Sequence, residues 1–248
     1  MSLSRPHERQ LLRICGLAAV RALFERDPGR VERLFFEESM KREVGRFCQS
    51  LARERKPYRQ TDKADLARVA GTILNGGVVA IAQPQPIVDF PAEAAQEWAR
   101  DGKPLLILDG ISNPHNLGAI VRSAAFFGLD RVVLADRPDQ ALPSDASYRV
   151  AEGGFEHLVL FRAPIPATLA ELRRHYQVVG TAPVKYAPPA ARAPHRAVVL
   201  VLGNEETGLD QATLAACDEV VAIPGSGRVQ SLNVAAAAAI LLYVLTRS

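Results

Sequence analysis

Three short segments beyond residue 104 end apolar runs with residues that could do chemistry. In the first, the run from Leu105 to Leu108 passes through a turn rich in Asn, Pro and Gly to Asn116, with Arg122 almost two helical turns further on. An Asn at a helix start either caps backbone N–H groups or holds a ligand. An Arg in an apolar stretch is costly unless it is paired or stands solvated in a cleft; a plain surface position is the alternative. In the second, Val201 and Leu202 run into Gly203, Asn204, Glu205 and Glu206. Gly203 would let a ligand approach the backbone closely, and Glu205 could bind a cation, pair with an Arg or simply be solvated. In the third, Ile223 and Pro224 open a glycine-rich loop that closes at Ser231, Leu232 and Asn233, where Ser231 is either a helix cap or a loop residue offered to a ligand. The chemistry on offer is the grip of a polar ligand at the strand ends. It is not that of a nucleotide fingerprint, a P-loop or a GxSxG elbow: Gly225 to Gln230 lacks the third glycine of GxGxxG. The five His and three Cys show no metal-ligand spacing, so no metal is expected, and Cys15, Cys48 and Cys217 read as reduced, packed thiols.

The elements around these segments must place all three together. Continuous Val/Leu runs alternate with helical patterns: strands over 105–108, 132–135, 158–161, 178–180, 198–202 and 220–223, helices over 116–127, 168–176 and 231–246. That alternation predicts a parallel sheet covered on both faces, and each chemical segment sits at the carboxyl end of a strand, where such sheets bind ligands. Residues 183–194 carry four prolines and read as a mobile loop. The first third reads as a smaller α/β unit: a helix over 8–26, a strand over 31–36, a helix over 40–56, a short helix over 63–70 capped by Asp62, and a strand over 78–82. Three prolines within residues 83–91 predict an extended linker, followed by a helix over 92–100.

With 248 residues, 48% hydrophobic and 23% charged, the chain can bury a real core. The longest apolar stretch is too short to span a bilayer, and the first residues lack an apolar signal core, so no targeting segment or membrane is expected. Charge is uneven. Residues 1–84 hold 16 Lys+Arg against 10 Asp+Glu, a net of +6, and residues 85–248 hold 14 against 17, a net of −3. A basic first third fits an anionic partner such as RNA.

In this order, the three segments resemble the signature motifs of the SpoU/TrmH branch of the SPOUT methyltransferases. Asn116 and Arg122 match the N-x-G-x-x-x-R of the first; Gly203 to Leu209 matches the second, usually G-S-E-G-x-G-L; Ile223-Pro224 and Ser231 to Val234 match the third. The resemblance implies an α/β protein whose C-terminal domain, residues 102–248, carries a parallel sheet tied in a deep trefoil knot. It implies a small ribosomal-protein-like domain that binds substrate RNA over 1–84, and a linker over 85–101. The implied cofactor is S-adenosylmethionine, held by the backbone at Gly203, Ile223 and Leu232 with Thr181 beside them. The implied reaction is methyl transfer to a ribose 2′-hydroxyl, on ribosomal RNA ahead of transfer RNA. Arg122 would serve as base or as stabiliser of a phosphate and the developing oxyanion, Asn116 and Glu205 as orienting groups, and Ser231 and Asn233 as the active-site loop. A cytoplasmic homodimer joined through the C-terminal domain is also implied, the Ala-rich stretch 235–239 suiting close helix packing. An RNA-binding protein that keeps the fold without catalysis is the alternative, disfavoured by the intact motif residues; a small-molecule α/β enzyme fits the basic first third less well. Three departures from the family pattern stand out: Leu74-Asn75-Gly76-Gly77-Val78 where a His-Gln-Gly-Val entry is usual, Glu206 for a Gly, and Ala151-Glu152-Gly153-Gly154 where many relatives have a Ser-Ala-Gly-Ala-like stretch.

Overall fold

The computed structural model describes residues 11–182 and 196–247. The first unit contains β1 (Leu12–Cys15), α1 (Leu17–Arg26), β2 (Val31–Phe36), α2 (Lys41–Arg53), β3 (Tyr58–Gln60), α3 (Lys63–Ala70) and β4 (Val78–Ala82), with a sheet in the order β1-β4-β2-β3. The second contains β5 (Ile87–Asp89), α4 (Ala95–Arg100), β6 (Leu105–Asp109), α5 (Pro114–Phe126), β7 (Arg131–Ala135), α6 (Asp145–Ala151), β8 (Val159–Ala163), α7 (Ile165–Leu172), β9 (Tyr176–Thr181), β10 (Ala197–Gly203), α8 (Gln211–Ala215), β11 (Glu219–Val221) and α9 (Val234–Thr246). Its seven strands are ordered β11-β9-β10-β6-β7-β8-β5, every pair parallel. β6 and β10 are buried along their whole length, as near-continuous apolar runs in a doubly covered sheet should be.

Several expectations are corrected. The helix expected over 8–26 is a strand followed by a helix. Leu12 and Ile14 are buried and Arg13 exposed, a period of two, and Gly16 at φ 90° breaks the chain before α1. Residues 8–10 lie outside the described residues, as does the proline-rich stretch 183–194. Ile87–Asp89, in the stretch expected as linker, is a sheet strand paired with β8. α6 occupies a stretch read as loop. It is held by Ser144, whose hydroxyl accepts from the Ser147 N–H while Ser147 Oγ receives the Ser144 N–H, a capping box built from two serines. Tyr176, read as a helix end, is the first residue of β9.

The two units share one apolar cluster, running from Leu12, Ile14 and Val20 to Leu106, Tyr148 and Leu200. Polar contacts cross the same seam. The Arg13 backbone N–H and guanidinium both donate to Asp145. Arg30, in the turn before β2, donates to Glu156 at 2.6 Å, to the Tyr148 hydroxyl at 3.1 Å and to the Gln83 carbonyl at 3.0 Å. The Arg30 and Glu156 side chains are only 8% and 2% exposed. Burial pushes the Glu156 carboxyl above its ordinary range against the pull of Arg30, and pushes the Tyr148 hydroxyl up to about 12.

Candidate active site

The sheet changes direction of growth between β6 and β10, neighbours in space but far apart in sequence. A crevice at the carboxyl ends of such a pair is where doubly wound sheets hold ligands. The register sets Gly203, ending β10, opposite Asp109, ending β6. From those two ends the chain supplies the first two chemical segments, and they meet through Glu205.

Glu205 is a hub. One oxygen accepts from the Ser112 N–H and hydroxyl, both at 3.1 Å; the other accepts from the Asn113 N–H at 3.2 Å and from Asn116 Nδ2 at 2.9 Å. Partial burial alone would raise its pKa. The Asn116 amide and the Ser112 and Asn113 N–H groups outweigh that and hold the carboxyl below its ordinary value, so it stays ionised. A group whose folded pKa is depressed stabilises the fold above its unfolded pKa, and that share is lost as pH falls through the folded value. The unfolding midpoint of Glu205→Gln should therefore lie below that of the parent chain at pH 7, and the gap should shrink as pH drops below 4.5, the ordinary glutamate value. Parallel thermal melts across that range are the check; a gap that widens would contradict the assignment.

Asn116 is bound on both sides: its Oδ1 accepts from Asn233 Nδ2 at 3.0 Å. The third segment thus joins the first two. Neither helix cap falls where the sequence suggests. Asn113 caps α5 through the His115 N–H, with Pro114 in the first turn, which releases Asn116 for Glu205. Asn233, not Ser231, caps α9, its Oδ1 accepting from the Ala235 and Ala236 N–H groups while its Nδ2 reaches Asn116.

Arg122 stands apart from this cluster. It lies six residues beyond Asn116 on α5, about 9 Å along the axis and about 120° around it. Its guanidinium is 2.9 Å from Glu152, both side chains being about half exposed. Glu152 ends α6 in the left-handed region at φ 46°. Around it Gly118 and Gly154 allow close packing: a Cβ on Gly118 would meet the Ser147 carbonyl oxygen at 2.4 Å, and one on Gly154 the Arg122 Cα at 3.1 Å. The departure at residues 151–154 thus sits directly on Arg122.

Of the residues expected to hold a cofactor, Thr181, Gly203 and Ile223 are gathered near the carboxyl ends of β9, β10 and β11, and Val221 pairs with Thr181. The Thr181 hydroxyl donates to the Val201 carbonyl at 3.1 Å. Ser231 and Leu232 lie exposed in the segment ahead of α9. Among the described residues, the backbone of 224–232 makes no backbone–backbone hydrogen bond, and it carries the exposed apolar Val229 and Leu232. Peptide donors and acceptors outside any helix or sheet ladder, beside apolar side chains, suit the edge and face of a purine.

The reason for Gly203 is corrected. A Cβ there would sit 2.4 Å from the Gly208 carbonyl carbon and 2.5 Å from the Leu209 nitrogen, so the glycine is required by the chain's own turn. That turn is closed by paired backbone bonds between Asn204 and Gly208, by Asn204 Oδ1 accepting from the Glu206 and Thr207 N–H groups, and by Asn204 Nδ2 donating to the Gly110 carbonyl at 2.8 Å. Gly203→Val is expected to displace the turn, lower the melting temperature and abolish cofactor binding together. Calorimetry showing normal binding would refute that coupling. Sequence reasoning missed Asn204, Ser112 and Asn113, although the first sits inside the quoted motif. It also missed buried Asp109, bound to Arg137 at 3.2 Å and to the Thr213 hydroxyl at 2.7 Å. Among the described residues no group of three or more His, Cys, Asp or Glu could hold a metal ion, and no helix is long and apolar enough to cross a membrane.

The parallel sheet, with its asparagine–asparagine–carboxylate link Asn233–Asn116–Glu205 at the switch point, and the smaller α/β unit beside it correspond to two families of known proteins. Residues 103–243 match the SpoU rRNA methylase family and residues 13–88 the RNA 2′-O ribose methyltransferase substrate-binding family. The chain belongs to the SpoU rRNA methylase family. It is 33% identical over 241 residues to the 23S rRNA (guanosine-2′-O-)-methyltransferase RlmB of Acinetobacter baylyi, covering 94% of this chain and 95% of that one. The solved SpoU methyltransferase AviRb of Streptomyces viridochromogenes in complex with AdoMet is similar over 99% of this chain and 94% of that one, at 26% identity and TM-score 0.73. An AdoMet-bound rRNA methyltransferase from Sinorhizobium meliloti shares the fold, with TM-score 0.79 at 22% identity over 97% and 88% of the two chains.

Proposed function

We propose that this chain transfers a methyl group from S-adenosylmethionine to the 2′-hydroxyl of a ribose in ribosomal RNA. The observation that carries the reading is the link Asn233–Asn116–Glu205, which ties all three chemical segments together at the switch point. An RNA-binding protein without catalysis has no need of an ionised carboxylate held by four donors at that place.

S-adenosylmethionine, when bound, would supply a methyl group activated on its sulfonium, so that the ribose 2′-oxygen forms a C–O bond as the C–S bond breaks, the thioether S-adenosylhomocysteine leaves and the hydroxyl proton passes to solvent. Gly203, Ile223, Leu232 and Thr181 are the residues that would hold it, at the carboxyl ends of β9, β10 and β11 and in the exposed segment ahead of α9. Asn116 and Glu205 orient the first loop, and Asn233, with Ser231 beside it, sets the start of α9. Arg122 meets the RNA from the solvent side. A guanidinium normally stays charged, so its part is to stabilise a phosphate and the oxyanion developing on the ribose rather than to take the proton.

The same reading carries the domain division: residues 1–84 for RNA and 102–248 for cofactor and chemistry, with 85–101 between them in sequence and adding β5 to the second sheet. It includes the trefoil knot, supported by β10 lying between the earlier strands β9 and β6. It also includes a homodimer through the C-terminal domain. Supporting that, Phe126 is 82% exposed, and Ile240 and Tyr243, one turn apart on α9, are 42% and 46% exposed, leaving an apolar face on the packed pair α5 and α9. The place of action is the cytoplasm, where ribosomal RNA is.

The test uses the purified full-length chain, S-adenosylmethionine labelled in the methyl group, and ribosomal RNA lacking its natural 2′-O-methyl groups. Label recovered in a 2′-O-methylnucleoside is the expected result. Tight cofactor binding with label recovered only on a base would overturn the reaction; RNA binding with no cofactor binding would favour the silent protein.

A further inference from the structure

We infer that the outer face of α2 is a docking surface for the RNA phosphodiester backbone, formed by Arg42, Arg46 and Arg53. The inference rests on the proposed action on RNA and names the surface that would receive it.

α2 buries one side and charges the other. Val44 and Leu51 are buried, with Phe47 and Cys48 packed against the same core. At 100° per residue these four centre on one side of the helix, whereas Arg42, Arg46, Gln49 and Arg53 fall within about 60° of each other on the opposite side. All four of those residues are exposed. The stripe contains no acid. Glu43, one step off it, is already held by Arg21 of α1 at 3.1 Å. Among the described residues no ion pair engages Arg42, Arg46 or Arg53.

Three unpaired guanidiniums therefore line a ridge about 16 Å long from Arg42 to Arg53. A helix kept only for solubility would intersperse acids at i,i+4 spacing. A polyanion is the occupant that such a ridge complements. All three are Arg rather than Lys, which suits bidentate contact with phosphate oxygens. Past the end of α2, Arg55 is exposed in the left-handed region at φ 56°. Tyr58, 45% exposed on the edge strand β3, then offers a ring on which a base can stack. The positive surface stops there. Beyond β3 an open groove is lined by Glu37, Glu38, Asp62 and Asp65 around Arg59 and Lys63, which gives the ridge a boundary on that side.

The test is the full-length triple variant Arg42→Gln/Arg46→Gln/Arg53→Gln. Each site is exposed, so thermal melting should match the parent, and calorimetry should show unchanged S-adenosylmethionine affinity. Binding to a structured ribosomal RNA transcript is then followed between about 50 and 200 mM salt. The expected result is weaker binding with a log–log salt slope shallower by about 2 to 3, the share of three released counterions. A control variant, Arg68→Gln/Arg100→Gln/Arg174→Gln, removes as many exposed charges elsewhere and should keep the parent slope. A folded triple variant with unchanged affinity and slope, or an equal loss in the control, would overturn the docking face and leave the proposed reaction standing. Absence of binding by the parent chain at low salt would overturn the face and the RNA substrate together.

Discussion

Arg122→Ala is expected to slow single-turnover methyl transfer by roughly 10² or more while leaving S-adenosylmethionine affinity nearly intact. That is the usual scale for a lost charge-stabilising group. Structure makes this a clean experiment. Arg122 is an exposed residue of α5, and its one ion contact among the described residues, with Glu152, joins two half-exposed side chains; such pairs contribute at most about 1 kcal/mol to stability. A large loss of rate without a large loss of melting temperature would therefore report on chemistry. Arg122→Lys separates two roles. If charge alone matters, Lys should retain part of the rate; if the planar fork must span two oxygens, it should retain little. Near-normal transfer by folded Arg122→Ala would remove the residue from the mechanism.

The largest effect on stability should come from Glu156→Ala. Glu156 and Arg30 are a buried pair across the seam between the two units, and removing one partner strands the other charge away from water. Losses of about 3–5 kcal/mol are typical of that change. The Tyr148 hydroxyl and the Gln83 carbonyl remain as neutral partners for Arg30 and set the lower end of that range. Replacing both partners with apolar residues, Arg30→Met/Glu156→Leu, should cost much less than either single truncation, because no charge is left buried. Denaturant melts of the two singles and the double decide it. Additive losses would show that the pair is not coupled.

Much of the site was legible because its residues act close to strand ends that the apolar runs mark. The runs at 105–108 and 198–202 located β6 and β10 within a residue or two, and with them the loops that carry Asn116 and Glu205. What was not legible is which cap serves which helix. Asn113 and Asn116 are equally good caps by residue type, and only the approach of Glu205 from the turn after β10, nearly ninety residues away, shows that Asn116 is spoken for. Distant pairing also hid β5: three residues between prolines show no period, and their strand exists because β8 offers an open edge. α6 was hidden for a related reason. Its cap is two serines and its body short and polar, so the burial of Tyr148 and Ser147 against α1, α5 and the Gly153–Gly154 turn holds it in place. Gly203 shows the converse, a position read rightly as special for a reason the turn at Gly208 corrects.

The most direct measurement of the central claim is a nucleotide-resolution map of 2′-O-methyl groups in total RNA from cells with and without this protein. The account predicts that one or a few ribosomal RNA positions lose methylation when the protein is absent. It further predicts that the parent chain restores them and Arg122→Ala does not. An unchanged map, with the parent chain expressed and binding S-adenosylmethionine, would contradict it.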